Sequence, residues 1–363
     1  MASDNPIVVI GGGIAGASAI LALGQLGLEP VWVTPQTPPG DRVGESLAPA
    51  AHRTLKALNV EDVVNAGAHR RSNATFSAWG QDQLVERNAI SQINGSGWVL
   101  NRGQFEADLV ERATHTATPV ATTLQSFQRE GERWALALNN GETLDASFLF
   151  DATGRSASIG RQFATLKRTD QLVAAWGVLE QTEALVEPTR ATLIEAVDDG
   201  WWYAALLPDS RLAVAWFTDP DLVPANLTRD LSVWTRKLTG SRYVQKWIDD
   251  ADFAPIAPPT LASAGTTWLD PCAGDGWAAI GDAAAAFDPL SSHGMTTALW
   301  SGHAAVQALA SQQNGNTDAI AEYATMVSKG VESFLTQRAR FYGSEKRFQG
   351  APFWDRRQSK AAA

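Results

Sequence analysis

The feature that most limits how this chain can fold is a glycine-rich turn between an apolar strand and a helix. The segment IVVIGGGIAGASAI, residues 7–20, carries Gly11, Gly13 and Gly16 in the spacing G-x-G-x-x-G. The first glycine turns the chain, the second lets a diphosphate approach the backbone, and the third lets helix and strand pack closely. A second apolar strand follows at residues 29–34. The sequence therefore predicts a βαβ unit that binds a dinucleotide, with a tight packing turn as the alternative.

The residues beside these glycines are assigned to the same dinucleotide-binding site. Ile14 and Ala15 open the predicted helix, where unpaired N–H groups and the helix dipole favour an anion. An acidic residue usually ends the second strand and binds the ribose hydroxyls, but Thr34 stands there in this chain. A hydroxyl group still offers a hydrogen bond. We therefore expect Thr34 to hold the adenosine end of the dinucleotide, although less tightly than a carboxylate would.

The rest of the chain alternates between two patterns. Residues 98–113 predict a short strand and a helix, and the stretch from about 277 to 313 again predicts a buried strand followed by a helix. Between about 170 and 265, apolar and polar runs alternate as in an antiparallel sheet. We expect an α/β fold with three parts: a Rossmann-like dinucleotide-binding domain at 1–75, 98–168 and 266–315, an inserted antiparallel β-sheet substrate domain at 76–97 and 169–265, and a C-terminal helical segment at 316–363.

Charge and composition exclude several classes of function. The 363 residues are 45% hydrophobic and carry a formal net charge of −10, so neither nucleic acid nor a membrane surface is expected as a partner. The single cysteine, Cys272, excludes a disulfide framework and a cysteine metal cluster, and we predict no metal site. The sequence enters its first strand without a secretory signal, and it contains no apolar run that could span a bilayer. A cytoplasmic protein is the expectation.

A second glycine-containing turn near the end of the chain indicates which dinucleotide binds. It is GDAAAAFDPLSSHGMTTALWSG, residues 281–302, and further motifs are GESL at 44–47, LNRGQFEADL at 100–109 and FDATGR at 150–155. Together these motifs resemble the flavoprotein hydroxylase superfamily of p-hydroxybenzoate hydroxylase and the flavin-dependent halogenases. The resemblance implies the p-hydroxybenzoate hydroxylase-like fold and FAD as the cofactor. The first turn would hold the ADP half of FAD, and the late turn would hold the flavin half.

The same resemblance assigns further residues to FAD. Asp282, after Gly281, would bind the ribityl chain, while the helix predicted after Ser292 would direct its N-terminus at the flavin and stabilise the reduced, anionic form. Taken singly, Asp282 fits a helix cap equally well, Arg102 fits an exposed helix start, and FDATGR fits a plain strand exit. The full set of implied FAD-binding residues in these motifs is Glu45, Ser46, Arg102, Asp282, Pro289, Ser292, Gly294 and Met295.

Two absences separate this chain from the tryptophan halogenases within that superfamily. Those enzymes use a lysine some distance after the GES motif, yet no lysine lies between Lys56 and Lys167 here, and Ser291 stands where they have a glutamate. Their W-x-W-x-I-P signature is matched only imperfectly by GWWYAALLP, residues 200–208. The chain is more similar to the flavoproteins that mature the tryptophylquinone cofactors of lysine ε-oxidase and glycine oxidase. One departure is His293, where a glutamine is expected.

This second resemblance implies a reaction. A flavin C4a-hydroperoxide would hydroxylate an electron-rich aromatic ring, such as a tryptophan residue of a partner oxidase, inside an apolar cavity. Candidate aromatic walls in the inserted sheet, which ordinary sheet packing would also explain, are Trp176, Trp201, Trp202, Tyr203 and Trp216. Trp202 and His293 are our candidate catalytic residues, His293 as a hydrogen-bond donor or proton relay. A helix-capping histidine is the alternative.

The sequence leaves both the electron donor and the choice among several functions undecided. No second G-x-G-x-x-G occurs, so either NAD(P)H docks transiently at the flavin or a separate flavin reductase supplies electrons. Three other functions fit the same motifs: a flavin-dependent halogenase of a small aromatic, an FAD reductase similar to geranylgeranyl reductases, and a non-catalytic binding module on the scaffold of the Rab escort proteins.

Overall fold

The computed structural model places the glycine-rich turn between strand Ile7–Ile10 and a helix that begins at Ile14, as the sequence predicts. At Ser291 only the backbone is described. The structure describes residues 6–35, 42–65, 67–72, 74–88, 96–183 and 185–358.

The described part of the chain forms eight α-helices. None of them is both long and apolar enough to cross a bilayer. In chain order they are α1 (Ile14–Gln25), α2 (Ala51–Ala57), α3 (Arg102–Thr114), α4 (Leu231–Leu238), α5 (Tyr243–Asp250), α6 (Gly294–Gln313), α7 (Ala319–Ser344) and α8 (Pro352–Gln358).

A six-stranded sheet forms the core beneath α1. Its central strand, Ile7–Ile10, is buried along its whole length and runs parallel to Val31–Val33 on one side and Phe148–Asp151 on the other. The carboxyl ends of parallel strands meet at one edge, so the turns that follow these strands lie side by side. The order across the sheet is Ala273–Gly274, Trp277–Ala279, Phe148–Asp151, Ile7–Ile10, Val31–Val33 and Pro119–Val120.

The predicted antiparallel sheet is present, and α4 and α5 cover one of its faces. One pair in it, Ala74–Ala78 with Thr192–Val197, runs parallel. In order, its strands are Phe253–Pro255, Val173–Gln181, Leu212–Thr218, Gly200–Leu206, Thr192–Val197, Ala74–Ala78 and Val85–Asn88, with Thr260–Ser263 also paired to Val173–Gln181.

Three small sheets complete the strands. The first is an antiparallel meander, the second lies beside the late glycine turn, and the third fixes the GESL segment to the strand before α3. Their strands are Leu124–Glu130, Arg133–Leu138 and Thr143–Ala146; Thr165–Arg168, Thr267–Asp270 and Ala285–Ala286; and Ser46–Leu47, Trp98–Val99 and Arg70–Arg71.

Two helix contacts position the functional region. Helix α1 packs against α6, and the Ser18 hydroxyl donates to the Leu299 carbonyl oxygen at 2.7 Å. Helix α7 reaches the antiparallel sheet, where the Trp201 indole N–H donates to the Tyr342 hydroxyl at 3.1 Å. That hydroxyl in turn donates to Asp288 Oδ2 at 2.8 Å. The C-terminal helices therefore fasten the sheet to the loop that precedes α6.

Candidate active site

The three glycines of the first motif meet different surroundings. Gly11 has a φ of +122°, and a Cβ there would lie 2.2 Å from the Ala152 carbonyl oxygen. A Cβ on Gly16 would lie 2.1 Å from the Gly11 carbonyl oxygen. A Cβ on Gly13 would meet no atom within 4 Å. Packing thus requires the first and third glycines, while the second borders open space.

That open space is a cavity of about 460 Å³ between the glycine turn and the antiparallel sheet. Its volume is typical of a small-molecule or cofactor site. The predicted site residues that line it are Gly13, Ile14, Ala15, Glu45, Ser46, Arg102, Asp282, Pro289, Ser292, Gly294 and Met295.

Five predicted residues do not line this cavity: Gly11, Gly16, Thr34, His293 and Trp202. Thr34 follows the second strand, but its hydroxyl donates to the Pro35 carbonyl oxygen at 3.3 Å. A Cβ on Gly12 would lie 2.1 Å from Thr34 Oγ1, so this hydroxyl packs beneath the turn. His293 is the N-cap residue of α6, and incomplete access of water to its imidazole lowers the pKa of that group.

Trp202 corrects the sequence analysis. Side chains alternate between the two faces of a strand, so Trp201 and Tyr203 point to the cavity and Trp202 points away from it. Trp202 is fully buried against α4, with 5.5 Å between its ring centroid and that of Trp234. A contact between Trp202 and a substrate in this cavity is therefore excluded, and the residue belongs to the core behind the sheet.

An aromatic wall nevertheless faces the cavity. Trp176, Trp201 and Tyr203 line it, and Trp216 from the same predicted set lies behind the sheet with Trp202. Phe217, which was not predicted, stacks on Trp201 with 3.9 Å between ring centroids. The alternation of the strand that contains Phe217 was the available signal.

Two helices begin at the cavity. Gly13 precedes α1 and His293 precedes α6, and neither helix has a side-chain cap or an acidic residue in its first turn. Their first N–H groups are therefore available to an anion. Gly294 and Met295 bring the start of α6 to the cavity wall. This arrangement fits FAD, whose diphosphate and reduced flavin are both anionic.

Arg102 is held at the start of α3 by contacts on both sides. Its Nε donates to Glu106 Oε1 at 2.6 Å, and its Nη1 donates to the Gly44 carbonyl oxygen at 2.8 Å. Asn101 caps the helix by accepting from the Gln104 N–H at 3.1 Å. Burial lowers the pKa of Arg102 to about 10, so the guanidinium group stays charged at neutral pH.

Asp282 lies in a short turn directly after the strand Trp277–Ala279. Its Oδ2 is 3.6 Å from Arg155 Nε, and Arg155 also donates to the Gly265 carbonyl oxygen at 2.6 Å. Burial raises the pKa of the Asp282 carboxyl, while Arg155 and Arg102 act in the opposite direction. Asp282 caps no helix in this structure. A carboxylate that faces a cavity between two guanidinium groups can bind hydroxyl groups of a ligand.

Asp151 has a structural task in the FDATGR segment. It is fully buried; its Oδ1 accepts from the Thr153 N–H at 3.0 Å, and its Oδ2 accepts from the N–H groups of Ile159 and Gly160 at 2.9 and 2.8 Å. These bonds shape the loop that carries Arg155 to the cavity. The motif was recognised in the sequence, but Arg155 at its end was not assigned.

Known proteins resemble this chain over almost its entire length. The putative FAD-dependent oxidoreductase LodB of Marinomonas mediterranea is 26% identical over 371 residues, which cover 98% of this chain and 97% of LodB. The peptidyl tryptophan dihydroxylase QhpG superposes with a TM-score of 0.79 at 24% identity, over 98% of this chain and 79% of QhpG. The myxobacterial chondrochloren halogenase CndH superposes with a TM-score of 0.86 at 19% identity, over 99% of this chain and 88% of CndH. No protein-family model matches the chain.

The fold and the cavity define a class. The chain has the fold of the FAD-dependent halogenases and hydroxylases, so the predicted fold class and the predicted resemblance to that superfamily are confirmed. The protein is an FAD-dependent oxidoreductase, similar over almost its entire length to LodB.

Proposed function

We propose that this oxidoreductase is a monooxygenase that hydroxylates an electron-rich aromatic ring, and that the ring belongs to a tryptophan residue of a partner oxidase. The observation that carries the proposal is a single cavity that joins the first turn at Gly13 to the aromatic wall at Trp201. Cofactor and aromatic substrate would then share one enclosure, which a ring hydroxylation at the flavin requires.

Different residues of the cavity wall would bind different parts of FAD and the substrate. Gly13 and the start of α1 would take the diphosphate, Asp282 the ribityl hydroxyls, and the start of α6 the flavin pyrimidine. The aromatic wall would exclude water and orient the substrate ring. When bound and reduced, FAD supplies the two electrons with which O₂ gives one oxygen atom to the ring and one to water.

The second candidate function is halogenation, which the superposition on CndH favours. Lysine-assisted halogenation needs an amine near the substrate, and no lysine stands among the described residues of the cavity wall. The cationic side chains there are those of Arg42, Arg102, Arg155 and Arg211. A guanidinium group, which stays protonated, cannot take the place of that amine. This absence argues against lysine-assisted halogenation, and we therefore propose hydroxylation as the first candidate.

The substrate is inferred from relatives. QhpG is described as a peptidyl tryptophan dihydroxylase essential for tryptophylquinone cofactor biogenesis, and we extend a peptidyl tryptophan to this chain. We further propose that either NAD(P)H or a separate flavin reductase reduces the flavin.

Oxygen consumption tests the substrate class. The FAD-loaded protein, supplied with NADH and a flavin reductase, would be given free tryptophan, indole, or an unmodified tryptophylquinone-dependent oxidase. We expect coupled consumption only with the oxidase, since a free amino acid lacks the remote contacts that position the ring. Efficient coupled hydroxylation of free tryptophan or indole would contradict a protein substrate.

A further inference from the structure

Glu45 is a buried carboxyl that faces the cavity. Its backbone is fixed, because the Glu45 carbonyl oxygen accepts from the Leu100 N–H at 2.8 Å and Ser46 pairs with Val99. Only 4% of the residue is exposed, and it lines the cavity. The carboxyl group therefore cannot turn out to bulk solvent.

Glu45 and Tyr203 each keep an unsatisfied oxygen in this place. Glu45 Oε1 and the Tyr203 hydroxyl are buried and have no hydrogen-bond partner of normal geometry among the described residues. Tyr203 comes from the aromatic wall and Glu45 comes from the GESL segment, and the two side chains lie beside each other at the cavity. Buried polar groups are nearly always paired, because an unpaired one costs about 1–3 kcal/mol. A ligand that supplies a hydrogen-bond donor would satisfy the Glu45 oxygen, while the Tyr203 hydroxyl can donate to the same carboxyl.

The groups around Glu45 set its protonation. Burial raises the pKa of Glu45, while Tyr203 from the antiparallel sheet and Arg102 from α3 act in the opposite direction. Burial and the Glu45 carboxyl raise the pKa of Tyr203 well above its ordinary value. Tyr203 thus stays neutral at physiological pH. Glu45 becomes a full acceptor only above its raised pKa.

We propose that Glu45, supported by Tyr203, accepts the hydrogen bond of a ring N–H or O–H group on the aromatic substrate and selects rings that carry such a donor. This inference rests on the proposed function, because it takes an aromatic ring as the occupant of the cavity. The chemical class it names is indoles and phenols. Glu45 is thereby a specificity-determining residue, beyond the FAD-binding role that the motif implies for it.

Binding of two probes tests the proposal. Indole and 1-methylindole have nearly the same shape, but only indole has a ring N–H donor. Each would be titrated into the oxidised, FAD-loaded protein while the flavin absorbance is followed. We expect indole to bind about tenfold more tightly than 1-methylindole, as one hydrogen bond to a buried carboxylate allows. The preference should grow as the pH rises through the pKa of Glu45.

Variants assign the preference to Glu45. In Glu45→Leu the two probes should bind equally, and in Glu45→Gln, which keeps the shape and an acceptor oxygen, a weaker preference should persist without pH dependence. The control is Glu180→Gln, which changes an exposed carboxylate of the same sheet outside the cavity and should keep the full preference.

Two results would overturn the inference. One is equal affinity of the wild type for both probes, with undetectable binding of both counted as equal. The other is loss of FAD affinity by more than tenfold in Glu45→Gln with an unchanged probe preference, which would assign the carboxyl to the cofactor. Because these are binding measurements without turnover, they fail independently of the proposed hydroxylation.

Discussion

At the scale of single residues, one turn contains glycines that are needed for packing and a glycine that borders the cavity. Gly16 has the Gly11 carbonyl oxygen where a Cβ would stand, whereas Gly13 has open cavity. The spacing of the motif predicts the packing role of Gly16, and the diphosphate-binding role of Gly13 stays a prediction.

The two glycines should therefore respond differently to alanine. Gly13→Ala should change the free energy of unfolding of the FAD-free protein by less than about 1 kcal/mol, yet weaken FAD binding, since the methyl group occupies the approach of the diphosphate. Gly16→Ala should lose about 2 to 3 kcal/mol of stability through overpacking. Denaturant unfolding and FAD titration measure both. Equal stability losses in the two variants would contradict this assignment.

Asp282 provides the second test at this scale. Asp282→Ala should weaken FAD binding roughly 10- to 100-fold, because a charge-assisted hydrogen bond is lost and Arg155 loses its nearby carboxylate. Fluorescence of released FAD gives the affinity. Asp145→Ala, an exposed aspartate of the meander sheet, is the control. Full FAD occupancy of Asp282→Ala at dilute concentration would argue against the ribityl role.

The raised pKa of Glu45 has a consequence for stability. The folded state holds this proton to higher pH than the unfolded state does, where the pKa is about 4.3. Its contribution to stability is therefore complete below about pH 4.3 and is lost as the pH rises through the folded pKa. The stability of the FAD-free wild type relative to Glu45→Gln should fall over that window. A difference that stays constant or grows with pH would contradict the raised pKa.

At the scale of elements, strand alternation decides which aromatic residues can take part. Trp201, Trp202 and Tyr203 are consecutive in the sequence and are all candidates for the cavity wall, although a strand must place the middle one on the opposite face. Which face borders the cavity depends on α4 and α5 behind the sheet, and this packing has no local signal. The tie from Tyr342 to Asp288 was equally hidden, because the two residues are 54 positions apart.

Helix α7 secures the cavity loop through Arg338. Its Nε donates to Asp288 Oδ2 at 3.0 Å, and its guanidinium group also pairs with Asp170. Arg338→Met would remove this cation from the buried Asp288 carboxylate and from the partly buried Asp170, which keeps Arg357 at 3.8 Å, and should cost about 3–5 kcal/mol in the free energy of unfolding. Arg340→Met, two residues further along and exposed, should cost little. Equal effects of the two substitutions in chemical denaturation would refute the tie.

At the scale of the whole molecule, the sequence predicted the two glycine turns and the antiparallel sheet, and the structure shows how they meet at the cavity. Local motifs identified both turns and the cofactor, since each motif encodes its own backbone geometry. The sequence could not predict that Glu45 from an early segment faces Tyr203 from the antiparallel sheet, because chain segments far apart meet there. The cavity wall on the antiparallel sheet is built mostly from such long-range contacts, whereas the wall at the two glycine turns is built mostly from motifs.

The origin of the oxygen in the product distinguishes hydroxylation by O₂ from halogenation. The reduced, FAD-loaded protein would be mixed with ¹⁸O₂ and an unmodified tryptophylquinone-dependent oxidase in buffer containing chloride and bromide. The masses of the oxidase peptides would then be measured by mass spectrometry. We predict that every oxygen atom added to the tryptophan ring is ¹⁸O and that the ring gains no chlorine or bromine. A chlorinated or brominated ring, or oxygen that comes from water, would contradict it.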